Sequence, residues 1–517
     1  MAAALILFMP NEIQLEIFHA VHDAGDALRS VSQVCRLWRE LSVNTSTFWT
    51  GISVDIWSID QGVALGDPYT IEFRRIVEVF PWPATLLRRS GFQPIDISIN
   101  LDSDLDTNTS SHDIVKAPWL TGYAVVLARF LAFYAARFRR VEILSDDLHP
   151  VQFLSLVLFD MPMPLLEQWS VISESDKPRL TVLPPPPAPT IFQRPVGIVP
   201  SFEHTDTLYP KLASLSIHGI TYDWGQFLPR NLVTLNLGNL LFSHDEFKTL
   251  LFHSKDTLQS LTVSAMAIYL PAQHVPTDDR ITLPNLYYLS VGVTFDPTTP
   301  FLATQLDVPN LLCLEIHDIT TESERTWNTD DHLQRFYLHV IASWPLKQLT
   351  HLTLGSARCP MDPANLIVLQ QDFEAGRGPS CYPSVLTSLL FNCTELRNLR
   401  LLEPDSTMLK SLNVAVNLQD KGPGILPSSS LDFLHIETQN YRELAQFLAQ
   451  INKYADLDST RIIARFIPTI LLDIPPAWGA HLCTLLSRKA CAEILNGEGY
   501  FEVESGRIFN LLDNLPY

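Results

Sequence analysis

Basic residues are scarce in this 517-residue sequence: 36 lysines and arginines stand against 56 aspartates and glutamates, for a net charge of −20. A nucleic-acid surface needs a basic face, so this balance excludes a phosphate-reading footprint and leaves a well-solvated surface that can favour basic partners. Cysteine is sparse as well. The seven at 35, 313, 359, 381, 393, 483 and 491 are odd in number and include no C-x-x-C pair. That spacing supports neither a disulfide framework nor a zinc module, and reduced thiols fit the cytoplasm or nucleus. No apolar run is long enough to span a bilayer; the longest, Tyr123 to Phe138, is interrupted by Arg129. The opening Ala-Ala-Ala-Leu-Ile-Leu-Phe lacks a basic flank and meets Pro10 almost at once, so it does not read as a signal peptide. Without one, the sequons at Asn44, Asn108 and Asn392 are expected to stay unmodified.

Catalytic signatures are missing too. The chain has no G-x-S-x-G, no H-E-x-x-H, no G-x-x-x-x-G-K-[ST] and no G-x-G-x-x-G. Gly497-Glu498-Gly499 lacks the third glycine and reads as a turn. The 15 histidines are scattered, and the neighbours His112-Asp113, His244-Asp245, His317-Asp318 and Asp331-His332 say nothing about a triad assembled in space. Cys35 and Cys393 read as small buried hydrophobes. No catalytic residue, metal ligand or cofactor is expected, and neither nucleic acid nor membrane is expected as a partner.

What the chain does have is apolar material, 46% of its residues, and repetition. Segments of the form L-x-x-L-x-L recur at Leu212/Leu215/Ile217, Leu232/Leu235/Leu237, Leu258/Leu261/Val263, Leu286/Leu289/Val291, Leu311/Leu314/Ile316, Leu349/Leu352/Leu354, Leu396/Leu399/Leu401 and Leu431/Leu434/Ile436. Weaker copies lie at Phe138/Val141/Ile143 and Leu166/Trp169/Val171. In the centre the starts lie 20, 26, 28 and 25 residues apart, a spacing that resembles the period of leucine-rich repeats, in which each unit adds one strand to a parallel sheet and returns by a helix or loop. One unit cannot bury its inward face alone, so neighbours must stack. Where that family places Asn or Cys beyond the strand, this chain has Ile220, Leu240, Met266, Thr294, Ile319, Ala357 and Pro404, which implies an irregular solenoid. A mixed α/β domain with several apolar strands is the alternative.

Between the strands, residues 180–200 with Pro184 to Pro187 read as an exposed polyproline spacer, and 355–385 as a long insertion. Leu333, Phe336, Tyr337 and Val340 mark a helix over 331–343 ended by Pro345. Thr85 to Gly91 followed by Ile95, Ile97 and Ile99 predicts a helix, a glycine stop and a strand, and Tyr123–Phe138 a further helix. Leu444, Phe447, Leu448 and Ile451 predict a helix in a C-terminal cap.

The first fifty residues carry more large apolar side chains than so small a bundle can bury, which points to a partner surface. Pro10 fits a first helical turn; Ile13, Ile17 and Val21 recur every four residues, with Phe18 widening the stripe. Asp26 is placed to cap a second helix bearing Leu28, Val31, Val34, Cys35, Trp38 and Leu41, and a third short element carries Phe48, Trp49 and Ile52. Met9-Pro10, Glu12-Ile13, Ile17-Phe18, Val34-Cys35-Arg36, Trp38-Arg39, Leu41-Ser42 and Phe48-Trp49 resemble, in identity and spacing, the F-box of Skp–cullin–F-box ubiquitin ligases. Met9 stands where leucine is usual, and Ser46 where a proline often precedes the final aromatic pair.

The resemblance implies an α+β chain of fungal F-box type: a three-helix F-box at 1–52, irregular first solenoid-like elements at 53–200, a leucine-rich-repeat-like region at 201–440 and a helical cap at 441–517. It implies a non-catalytic substrate adaptor in the ubiquitin-conjugation pathway. Pro10, Ile13, Ile17, Phe18, Val34, Cys35, Trp38 and Leu41 would meet a Skp-type adaptor and, through it, a cullin. An unknown protein substrate would lie on outward strand positions such as Ser214, Ser216, Thr234, Asn236, Thr353 and Arg400. Two other classes stay open, an F-box scaffold acting without ubiquitination and an unrecognised enzyme in the C-terminal region.

Overall fold

A computed structural model describes residues 9–23, 33–55, 77–101, 118–145, 148–159, 161–173, 208–220, 229–264, 267–269, 280–293, 298–318, 327–356, 385–404, 408, 433–437, 469–473, 492–496, 499–504 and 507–510. The polyproline stretch, the insertion after residue 356 and the predicted helix around Leu444–Ile451 lie outside these residues. The chain divides into two compact units, Met1–Leu240 and Leu241–Tyr517.

The first unit opens with helices α1 (Asn11–Asp23) and α2 (Arg36–Asn44) and a 3₁₀ turn at Ser46–Trp49. It continues with α3 (Pro81–Arg89), α4 (Pro118–Ala132) and α5 (Leu148–Phe159). Its strands β1 (Gly51–Asp55), β2 (Ile95–Asn100), β3 (Phe138–Ser145), β4 (Gln168–Ser173), β5 (Ser214–His218) and β6 (Thr234–Gly238) lie side by side in chain order. All five pairings are parallel, and their register is continuous except for one shift between Ile95 and Asp96 at the start of the β2–β3 pair. Inward residues therefore form two continuous rows. One is Ile52, Ile97, Val141, Trp169, Leu215 and Leu235; the other is Val54, Ile99, Ile143, Val171, Ile217 and Leu237. Every one of these side chains is buried.

The second unit repeats the arrangement. Helices α6 (His244–Ser254), α7 (Thr298–Gln305), α8 (Trp327–Ser343) and α9 (Val385–Asn392) fall between strands. Short pairs β7 (Leu241–Ser243) with β9 (Ala267–Tyr269) and β10 (Ile281–Thr282) with β12 (Leu306–Asp307) flank the main sheet. That sheet runs β8 (Ser260–Ser264), β11 (Tyr288–Val293), β13 (Cys313–Asp318), β14 (His351–Gly355), β15 (Asn398–Leu402), β16 (Phe433–Glu437), β17 (Thr469–Asp473) and β18 (Ala492–Asn496), all parallel. The registers align Leu261, Leu289, Leu314, Leu352, Leu399, Leu434 and Ile470 in one row. All eight L-x-x-L-x-L segments and the two weaker copies thus contribute residues to strands of a parallel sheet, an arrangement compatible with a solenoid-like fold.

Residues 441–517 depart from the expected helical cap. Where described they are strands: β17 and β18 extend the sheet, and β19 (Gly499–Glu504) and β20 (Arg507–Asn510) close it in antiparallel pairing. The alternation Phe501, Glu502, Val503, Glu504 has a period of two, which suits a half-buried strand and not a helix. Asn496 faces Gly499 across the β18–β19 pair; Gly497 and Glu498, expected to form a turn, lie outside the described residues. The predicted helix to Phe138 also ends early, at Ala132, because Phe138 is already the first buried residue of β3. Helix α8 holds Phe336, Tyr337 and Val340 fully buried, as its spacing predicts.

The irregularity of the repeats has a local cause. Strands β5, β6, β14 and β15 are each followed at once by a left-handed residue: Gly219 (φ 75°), Asn239 (φ 51°), Ser356 (φ 46°) and Glu403 (φ 47°). The chain then turns inward, and Ile220, Leu240 and Pro404 are buried where the regular repeat has Asn or Cys. These exits use an apolar peg in place of a polar ladder. Only Gly219 adopts its φ without strain, and there a Cβ would come within 3.0 Å of the Ser173 Cβ.

Leu314→Ala should therefore destabilise the chain by about 2–5 kcal/mol in chemical unfolding, while outward-facing Thr262→Ala should change stability by less than about 0.5 kcal/mol. Replacing exposed Glu403 with glycine relieves a left-handed conformation and should stabilise by about 0.5–1 kcal/mol; a loss of stability would contradict the strained exit.

Candidate functional site

The first helical region separates its apolar residues into two sets. The buried set is aromatic. Phe18 is fully enclosed, its ring edge-on to Trp38 at 5.0 Å and tilted against Phe48 at 6.2 Å. Trp49 is buried beside them, its Nε1–H donating to the Ser42 carbonyl at 2.8 Å. The Arg89 guanidinium of α3 lies 4.7 Å from the Trp49 ring centre, a cation–π contact that ties the helices to the element preceding β2. Trp49 is followed directly by β1, so Ile52 and Val54 continue this core into the buried rows of the sheet.

The second set faces water: Met9, Ile13 and Ile17 on and before α1, Val34 just ahead of α2 and Leu37 in its first turn. Val34 is 61% exposed and Ile13 48%, an unusual placement for β-branched aliphatic residues with no role at a surface. Pro10 is exposed and precedes α1, its carbonyl accepting from the N–H groups of Ile13 and Gln14 at 3.1 Å each. The Gln14 amide donates to the Met9 carbonyl at 2.8 Å and fixes the entry to the helix.

Between the two helices the structure corrects the expected continuous second helix. Gln33 and Val34 are helical, but Cys35 is extended (φ −156°, ψ 172°) and caps α2, its sulfur accepting from the Trp38 N–H at 3.5 Å. Cys35 is accordingly half-buried and not a core hydrophobe within a helix. The apolar spacing of three and four runs through this break without revealing it. Asp26, Leu28 and Val31 lie outside the described residues. Cys393, by contrast, is buried as expected; burial pushes its thiol up to about 12, and Sγ–H donates to the Leu389 carbonyl at 3.2 Å.

Of the eight residues expected to form or support a docking surface, Pro10, Ile13, Ile17 and Val34 are exposed; Cys35, Trp38 and Leu41 are half-buried; Phe18 is interior. Met9 and Leu37 belong to the exposed set but not to those eight; Met9 enters the sequence reading only through the resemblance, and Leu37 not at all. For Leu37 the missing signal is the break at Cys35, which resets the helical phase.

Residues 6–55 match the family model described as F-box-like. The chain carries an F-box-like domain. Domains of this family bind Skp-type adaptors. The matched segment ends at Asp55, so it includes β1 and reaches beyond the expected limit at residue 52. No curated protein matches the chain.

On the strand faces, Ser214 stands opposite Thr234 and Ser216 opposite Asn236 in the first unit; Thr353 and Arg400 are neighbours in the second. All six point outward from the buried rows. A shallow cleft of about 440 Å³ lies over β1–β4, bordered by Ser53, Asp96, Ser98, Arg140, Glu142 and Gln168. Of the histidine–aspartate neighbours with described side chains, His317 and Asp318 point to opposite sides of β13, and His244 Nδ1 lies 3.2 Å from the Asp245 carboxylate; His112-Asp113 and the side chains of Asp331-His332 lie outside the described residues. Among the described residues no group of three or more His, Cys, Asp or Glu side chains is placed to hold a metal, and no helix is long and apolar enough to cross a membrane.

Truncating Phe18 to alanine should cost about 3–5 kcal/mol of stability, whereas Ile13→Ala should cost less than about 1 kcal/mol. Equal losses in thermal unfolding of the two variants would contradict the division into packed and presented residues.

Proposed function

We propose that this chain is the substrate-recognition subunit of a Skp–cullin–F-box ubiquitin ligase. The observation that carries the reading is the exposed apolar set Met9, Ile13, Ile17, Val34 and Leu37, displayed on the domain whose family binds Skp-type adaptors. Apolar side chains held in water by a packed aromatic core are pre-organised for a partner and lose little conformational freedom on binding. The adaptor links the chain to a cullin, and the leucine-rich-repeat-like strand faces hold a protein substrate through outward residues such as Ser216, Asn236, Thr353 and Arg400.

The chain supplies no nucleophile in this role. Its contribution is proximity, raising the local concentration of a substrate lysine near a ubiquitin thioester carried by another subunit. Free thiols at Cys35, Cys313 and Cys393 agree with work in the cytoplasm or nucleus.

The test is capture of a purified Skp-type adaptor by the full chain. Ile13→Asp combined with Val34→Asp changes only exposed positions and should weaken capture roughly 100-fold or more while thermal unfolding stays unchanged. Undiminished capture would sink the adaptor reading. Adaptor captured from cells without cullin would favour an F-box scaffold that acts outside ubiquitination.

A further inference from the structure

On three adjacent strands of the second unit, the outward residues form a compact polar patch. Register places Tyr288, Cys313 and His351 side by side, then Ser290, Glu315 and Thr353, then Gly292, His317 and Gly355. Glu315 occupies the centre, with two short hydroxyl side chains as its lateral neighbours. Its side chain is 29% exposed, so its charge is recessed but open to a ligand.

Several donors lower the pKa of this carboxylate: foremost the His317 Nε2–H at 3.4 Å, then the hydroxyls of Tyr288 and Ser290. Burial works against them and does not prevail. Burial, and then the bond to Glu315, push the Tyr288 phenol up, so it stays a neutral donor. His317 owes its position to Gly355, where a Cβ would fall 2.1 Å from the imidazole Nδ1. Any other residue there would displace the ring.

The remaining neighbours do not neutralise the charge. Thr350 donates its hydroxyl to the Leu312 carbonyl at 3.1 Å and meets His351 Nδ1 at 2.9 Å; the Asn398 amide meets His351 Nε2 at 2.7 Å. Both ring nitrogens of His351 are thus engaged by Thr350 and Asn398 and not by Glu315. Arg400, beside Thr353 on the next strand, is directed to Glu437 at 3.8 Å. Among the described residues no lysine or arginine forms an ion pair with Glu315.

We propose that this patch receives a lysine or arginine side chain of the protein substrate. The cation enters above Ser290 and Thr353, donates to Glu315, and lies beside the aromatic ring of Tyr288. The net charge of −20 steers basic segments toward the molecule, and the ordered carboxylate gives one of them a place to dock. This assignment rests on the reading of the strand faces as the substrate-binding region.

The experiment is fluorescence anisotropy of the full chain with short labelled peptides bearing lysine, arginine or glutamate, at physiological ionic strength. The lysine or arginine peptide should bind and the glutamate peptide should not. Glu315→Gln, which keeps the size and one accepting oxygen but removes the charge, should weaken binding roughly tenfold. Thr353→Arg, which supplies an internal cation, should weaken it at least as much, while Glu437→Gln should leave it within about twofold. No binding of basic peptides, equal binding of the glutamate peptide, or an unaffected Glu315→Gln variant would each overturn the assignment. Adaptor capture by the same preparations reports on the F-box reading separately: its loss with peptide binding intact refutes that reading alone.

Discussion

Parallel pairing in register, apolar side chain beside apolar side chain from one strand to the next, is the constraint on which both units depend. A single strand such as Leu314–Ile316 exposes its inward face until neighbours cover it, and here Leu289 and Leu352 do so in strict alignment. A slip by one residue would turn Ser290, Glu315 and Thr353 inward and the leucines out. Register therefore settles more than the core. It also determines which polar side chains meet on the opposite face, and so creates the grid around Glu315.

The N-terminal helices are joined to this system by covalent continuity and by packing. Trp49 is buried beside the aromatic cluster of Phe18, Trp38 and Phe48, and three residues later Ile52 enters the first buried row. The agreement of the family match with the end of β1 has a physical sense: the domain's last residues are already part of the sheet. Because the aromatic side chains supply the internal cohesion, Ile13, Ile17 and Val34 are free to face outward. An apolar surplus in a small domain is then an interface and not a packing fault.

The repeats are legible because the apolar alternation within each strand survives variation in the connecting segments, even as the spacing between segments runs from 20 to 47 residues. Leu215, Leu235, Leu261 and their counterparts could be placed from spacing alone. Other features left no such trace. Cys35 interrupts a run of apolar residues at spacings of three and four, and only the backbone shows that its sulfur caps a new helix. The C-terminal strands were missed because the region's helical signal, around Leu444 to Ile451, was extended over alternating sequence further on. Glu315 and His317 were hidden because they lie two apart on a strand, whereas His317 drew notice beside Asp318, its neighbour in sequence but not in space. Apolar pattern reports burial; it does not report which polar groups converge on the other side.

The central claim is that a packed aromatic core presents α1 and the start of α2 to an adaptor. Amide hydrogen exchange on the full chain, with and without a Skp-type adaptor, tests it most directly. The account predicts slowed exchange confined to Asn11–Asp23 and Arg36–Asn44, with β1 and the later strands unchanged. Protection centred on the strand faces, or none at saturating adaptor, would contradict it.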